Sequence, residues 1–157
     1  SCKDALQLPP ELVYLIVDNF KTIKLMKIVR TLNTVYYDVT NKSSLYKRYK
    51  LVPMKGCIVK RGNVIKRWKT RYFDLGIETL SYYKDINHER AMGIFSMMDI
   101  TNVQIEDKMS SENQYVWSFT QKREDGDRLT FFFVSTEHAR KEWVEHIILA
   151  TELCRLV

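Results

Sequence analysis

The chain has 157 residues, 45% of them hydrophobic and 12% aromatic, which excludes a disordered polypeptide and leaves room for one domain or two small ones. No run of about 18 apolar residues occurs, so no membrane-crossing helix is expected. The net charge of +6 is unevenly spread: residues 1–72 hold 16 Lys/Arg against 4 Asp/Glu (+12), and residues 73–157 hold 9 against 15 (−6). An excess of that size in under half the chain points to an anionic partner.

The first residues show no charged-then-apolar signal pattern, and the missing Met suggests a processed or engineered end. Cys2, Cys57 and Cys154 are odd in number and widely spaced, which argues against a disulfide framework or a zinc site and for a reducing, cytoplasmic setting. Residues 8–20 (LPPELVYLIVDNF) have prolines suited to a helix start and Glu11 at the positive end of its dipole. Leu12, Leu15, Ile16 and Phe20 then recur at helical spacing. A second helical run covers 22–32, with Lys21, Lys24, Lys27 and Arg30 fanned around it, and further short helices are expected over 33–50. Three short helices in about fifty residues bury little surface, so such a unit usually docks on something.

Leu8-Pro9-Pro10-Glu11, then Ile16, Phe20 and Leu25, then Tyr36, Val39 and Leu45-Tyr46 together resemble an F-box. Tyrosine stands at both positions where that family prefers tryptophan, and Lys42 where an acid is common. The resemblance implies that the apolar face bearing Leu8, Pro9, Glu11, Ile16, Phe20 and Leu25 binds the small adaptor subunit of cullin–RING ubiquitin ligases. The alternative is a helical extension that packs only on the second domain.

Leu51-Val52-Pro53 ends the helical texture, and the period changes from 3.6 to 2. Strands are expected over 57–60, 67–75, 79–84, 93–97, 101–106, 115–121 and 129–135. Arg61-Gly62-Asn63 and Asp125-Gly126 mark hairpin turns. In the sixth strand Tyr115, Trp117 and Phe119 share one face and Ser118 and Thr120 the other. The last segment reads as a helix capped by Ser135 or Thr136, with Trp143, Ile147, Ala150 and Cys154 on one stripe.

The predicted fold class is α+β: a seven-stranded antiparallel barrel or sandwich capped by a C-terminal helix, behind an N-terminal bundle of short helices. The expected domains are 1–52 and 54–157. A helix carrying one large aromatic can plug one end of such a barrel, leaving the other end and its loops to a ligand.

Gly56, Lys60-Arg61-Gly62, Trp68-Lys69-Thr70-Arg71-Tyr72-Phe73, Leu80-Ser81-Tyr82-Tyr83 and Trp143 occur in that order, and residues 54–155 so resemble a pleckstrin homology (PH) domain. Residues 54–75 hold seven cations before the first acid, Asp74. Lys69 and Arg71 lie two apart on one strand face, roughly 7 Å from each other, a separation that suits neighbouring phosphates on a small ring. Lys60 comes opposite the start of the second strand, Tyr82 on the third could donate its hydroxyl, and Arg61, Asn63 and Lys66 would close over the site. Arginine offers a rigid fork to a phosphate and lysine a mobile point charge.

The resemblance implies that Lys60, Lys69, Arg71 and Tyr82 contact a phosphoinositide headgroup, with Lys66 and Arg67 as auxiliary cations at the membrane and Arg90 as a weaker candidate. The position beside Gly93 that is basic in some tight binders is Met92. Val64 and Ile65 at the loop tip either dip into the interface or pack within the loop. The expected partner is a phosphoinositide-bearing membrane, bound peripherally on its cytoplasmic face by a monomer.

Trp68, Tyr72 and Tyr82 offer stacking platforms to a nucleic acid, but no further motif joins them and no nucleic-acid partner is expected. His88, His138 and His146 stand without a nucleophile or acid at recognisable spacing, and no phosphate-cradling Gly loop occurs among the 5 glycines. No catalysis, cofactor or metal is expected. The competing non-catalytic reading is a protein-interaction module with weak lipid binding.

Overall fold

The computed structural model describes residues 51–155. The F-box-like stretch, with Leu8, Pro9, Glu11, Ile16, Phe20 and Leu25 and the expected bundle of short helices, lies outside the described residues. The unit that carries the sheet runs from Val52 to Glu152.

Alternation of apolar and polar residues produces seven strands: β1 (Met54–Arg61), β2 (Trp68–Leu75), β3 (Thr79–Tyr83), β4 (Gly93–Ser96), β5 (Ile100–Ile105), β6 (Tyr115–Gln121) and β7 (Arg128–Val134). Helix α1 (Glu137–Cys154) follows. The sheet order is β4-β3-β2-β1-β7-β6-β5, and its neighbours are antiparallel.

Every second residue points inward, so Ile58, Phe73, Leu80, Phe95, Phe119 and Phe132 are buried together. Phe95 on β4 meets Phe119 on β6 with ring centroids 5.0 Å apart and Phe132 on β7 at 6.2 Å, both edge-on. These contacts join opposite halves of the sheet, so it curls back over itself. Each such aromatic pair contributes about 0.5–1.5 kcal/mol beyond the area it buries.

The sixth strand departs from its expected two-faced pattern. Val116, Trp117, Ser118 and Phe119 are all buried, because the face that carries Ser118 is covered as well. Ser118 donates its hydroxyl to Glu106 Oε1 at 2.7 Å. The buried Arg140 of α1 donates to the Val116 carbonyl and Ser110 Oγ, both at 3.2 Å, and to Asp107 Oδ1 at 3.0 Å. A buried polar group is tolerated when its hydrogen bonds are made in this way.

Of the two candidate caps of α1, Thr136 makes the bond, its Oγ1 accepting from the Ala139 N–H at 3.1 Å. The stripe of Trp143, Ile147, Ala150 and Cys154 is buried as expected. A Cβ on Gly56 would stand 3.3 Å from the Trp143 ring, so this glycine lets the indole lie against β1. Gly56 and Lys60 share a strand face, and four residues of strand, about 13 Å, separate the helix plug from the basic end.

Candidate anion-binding site

The β1–β2 register builds the site. Lys60 pairs with Lys69, Ile58 with Arg71 and Gly56 with Phe73. Lys60 and Lys69 are therefore on one face, which continues through Arg71 to the buried Phe73. Phe73 pairs in turn with Tyr82 on β3. The β1–β2 turn is tight: Gly62 N–H donates to the Arg67 carbonyl at 2.9 Å and Arg67 N–H to the Ile65 carbonyl at 2.7 Å. A side chain at Gly62 would overlap the Ile65 carbonyl. The result is a pocket of about 200 Å³ lined by Lys60, Gly62, Ile65, Arg67, Lys69, Arg71, Tyr82 and Met92.

No carboxylate lines this pocket. Lys60 Nζ donates to the Arg61 carbonyl at 3.3 Å and stands 5.3 Å from the Tyr82 ring centroid. Burial holds its pKa below the usual lysine value, and the charges of Arg128 and Arg71 push it the same way. Arg71 Nη1 donates to its neighbour Thr70's carbonyl at 3.0 Å, leaving guanidinium donors for a ligand. Half-buried cations with no acid between them suit an anion that offers several oxygens at once.

The structure thus brings together Lys60, Lys69, Arg71, Tyr82 and Arg67, and separates Lys66 from them. Lys66 lines a second hollow of about 240 Å³ with Arg61, Gly62, Asn63, Leu129 and Phe131. The expected closure of Arg61, Asn63 and Lys66 over Lys60, Lys69 and Arg71 does not occur. Strand alternation explains the difference: Arg61 pairs with Trp68, on the face opposite Lys60 and Lys69. There its guanidinium lies 6.0 Å from the Trp68 ring and 5.9 Å from that of Phe131. Arg90 is exposed and outside the pocket. Val64 is 93% exposed, which excludes packing within the loop for that side chain.

The stacking set invoked for a nucleic acid is divided. Trp68 and Tyr72 alternate with Lys69 and Arg71 and so lie on the outer face, where Trp68 packs on Phe133 at 4.9 Å between centroids, while Tyr82 is inside. Among the described residues no three potential metal ligands cluster, and no helix is long and apolar enough to cross a membrane.

The family model for the PH domain matches residues 52–152. The chain belongs to the PH-domain family. A PH domain-containing protein of Dictyostelium discoideum is 26% identical over 93 residues, 59% of this chain but 19% of that relative, so the chain matches about a fifth of its length. Two crystal structures of the C-terminal PH domain of pleckstrin, each in complex with an inositol pentakisphosphate, are 26% identical. One has a TM-score of 0.53 and covers 62% of this chain and 93% of its own. The other has a TM-score of 0.51 and covers 62% and 95%.

Two arginines escaped the sequence reading. Arg140 lies three residues before Trp143, on the apolar stripe, and that position was a signal of burial. Arg128, one residue before the strand expected over 129–135, lies two residues from the buried Thr130 and four from the buried Phe132. Counting back from them places it on the inner face of the PH domain.

Proposed function

We propose that this PH domain binds phosphorylated inositol headgroups at the cytoplasmic face of membranes and acts as a non-catalytic adaptor. Lys60, Lys69 and Arg71 take the phosphates, Tyr82 donates its hydroxyl, Arg67 stands at the pocket rim, and Lys66 adds general attraction to the anionic leaflet. The observation that carries this reading is the pocket lined by four cations and a tyrosine with no carboxylate among them. The inositol pentakisphosphate complexes of the pleckstrin PH domain support it. Cations near an anionic leaflet each contribute on the order of 1 kcal/mol at most, and the exposed Val64 and Ile65 add apolar tips beside them.

The test is sedimentation with phosphatidylcholine vesicles that contain or lack phosphoinositide. Lys69→Ala with Arg71→Ala abolishes recruitment to the phosphoinositide vesicles and leaves the melting temperature nearly unchanged, because both residues sit on the pocket side of a solvated hairpin. Unaltered sedimentation of the double variant would sink the assignment.

From the sequence resemblance alone we extend the proposal to residues 1–52, as an F-box-like segment that recruits the adaptor subunit of a cullin–RING ubiquitin ligase. A pull-down with that subunit, repeated with Leu8→Ala and Phe20→Ala variants shown to be folded, decides it. Equal retention of wild type and variants, or no retention of either, refutes the segment's assigned role.

A further inference from the structure

Arg128 opens β7 and pairs with Gln121 of β6. The next residues on its face, Thr130 and Phe132, are each 1% exposed and pair with the core residues Phe119 and Trp117, so Arg128 continues the inner face to the mouth of the sheet. β1 meets β7 with Lys60 as the partner of Phe132. From that pair the two antiparallel strands run to the same open end. Lys60 thus has Arg71 on its β2 side and Arg128 on its β7 side.

The electrostatics agree with the geometry. The charge of Arg128 weighs on the Lys60 ammonium more than that of Arg71, which lines the pocket. Arg128 belongs to none of the ion pairs among the described residues, whereas Arg123 of the same hairpin is held by Asp125 at 3.0 Å. One step inward on the same face, the Thr130 hydroxyl is buried without a hydrogen-bond partner. The β7 side of the mouth therefore presents an unneutralised guanidinium.

We propose that Arg128 forms a second wall of the anion site and, with Lys60, takes a second phosphate of the ring whose first phosphate is held by Lys69 and Arg71. This rests on the headgroup reading above and adds selectivity to it. A multiply phosphorylated inositol ring spans β2 to β7, and a sparsely phosphorylated one engages the β2 side alone. The shared chemistry is the polyphosphorylated ring, carried by a lipid or free in solution.

The experiment is calorimetric titration of the full chain, as wild type, Arg128→Gln and Arg123→Gln, with inositol hexakisphosphate and with an inositol bisphosphate. Loss of one charge-assisted phosphate contact corresponds to about a ten-fold change in affinity. Arg128→Gln is expected to weaken the hexakisphosphate about ten-fold and the bisphosphate less than about two-fold, at an unchanged melting temperature. Arg123→Gln weakens neither, because its charge is already paired. The same variants are sedimented with vesicles carrying a phosphatidylinositol bisphosphate. Loss in both arms assigns the ring from either source, and loss in the soluble arm alone assigns free inositol polyphosphates.

Equal losses for Arg128→Gln and Arg123→Gln would show a diffuse field and overturn the assignment, as would an Arg128→Gln variant that binds the hexakisphosphate like wild type. In both cases the headgroup reading survives, because the wild type still binds. A wild type that binds no ligand in any arm overturns both.

Discussion

Lys60 and Lys69 are direct partners across the β1–β2 ladder, two ammonium-bearing side chains facing each other on one side of a hairpin. Like charges at opposed positions destabilise a sheet, and no carboxylate lines the pocket between them. A bound anion removes that repulsion, so ligand binding and fold stability are coupled at this pair.

Lys60→Met tests the coupling. The Lys60 pKa is held below its ordinary 10.5 by burial, then by Arg128 and Arg71. Below the folded-state pKa the lysine is protonated in both folded and unfolded chains, and its burial costs stability. As pH rises through that value towards 10.5 the folded state releases its proton first, and the cost is relieved. At neutral pH Lys60→Met is expected to stabilise the fold by up to about 1 kcal/mol, the lost Tyr82 and Arg61 contacts offsetting part of the gain. The advantage shrinks in alkali, and headgroup binding is lost at neutral pH. Thermal melts across pH check it; a variant that melts lower than wild type at neutral pH contradicts the account.

Gly93→Ala addresses Tyr82. A methyl group there would overlap the Tyr82 hydroxyl and ring, and the ring is backed by Phe73 at 5.5 Å and Phe95 at 5.8 Å. The expected outcome is a loss of about 1–3 kcal/mol in urea unfolding, with weaker headgroup binding as the hydroxyl is displaced.

Met92→Lys is a gain-of-binding test. Met92 is 53% exposed and lines the cationic pocket as an apolar wall. A lysine at this site keeps its charge hydrated when the pocket is empty and adds a phosphate contact when it is filled. Affinity for an inositol bisphosphate should rise roughly five- to ten-fold in titration calorimetry; no rise would place the ligand away from this wall.

Arg140→Ala should damage the fold while leaving the pocket intact. Its guanidinium serves the Val116 carbonyl, Ser110 and Asp107 from a buried position. Removing it strands the carbonyl and opens a cavity, at an expected cost of about 2–4 kcal/mol in chemical denaturation. Arg140→Lys recovers only part of this, because one ammonium cannot reproduce the planar fork. At temperatures where the variant remains folded, ligand affinity is unchanged.

The strands, the two hairpin turns and the helix stripe were legible because each is a local pattern. Period 2, Asp125-Gly126 with Gly126 at φ +111°, and the spacing from Trp143 to Cys154 need no distant partner to be read. The pairing of Lys60 with Lys69 followed from a short turn between adjacent strands. The burial of Ser118 was not legible, because what covers β6 is a turn and an arginine from elsewhere in the chain.

By itself, then, the sequence determined that a basic hairpin opens a sheet domain of seven strands and a helix, and that Lys60, Lys69 and Arg71 share its inner face. Only the tertiary structure decided that Lys66 shares a hollow with Leu129 and Phe131 of β7, and that Arg128 arrives beside Lys60 from the far end of the domain. The physical reason is distance along the chain. Strand alternation is set by neighbouring residues, whereas the meeting of β1 with β7 depends on how the whole sheet curls to bury its aromatic core.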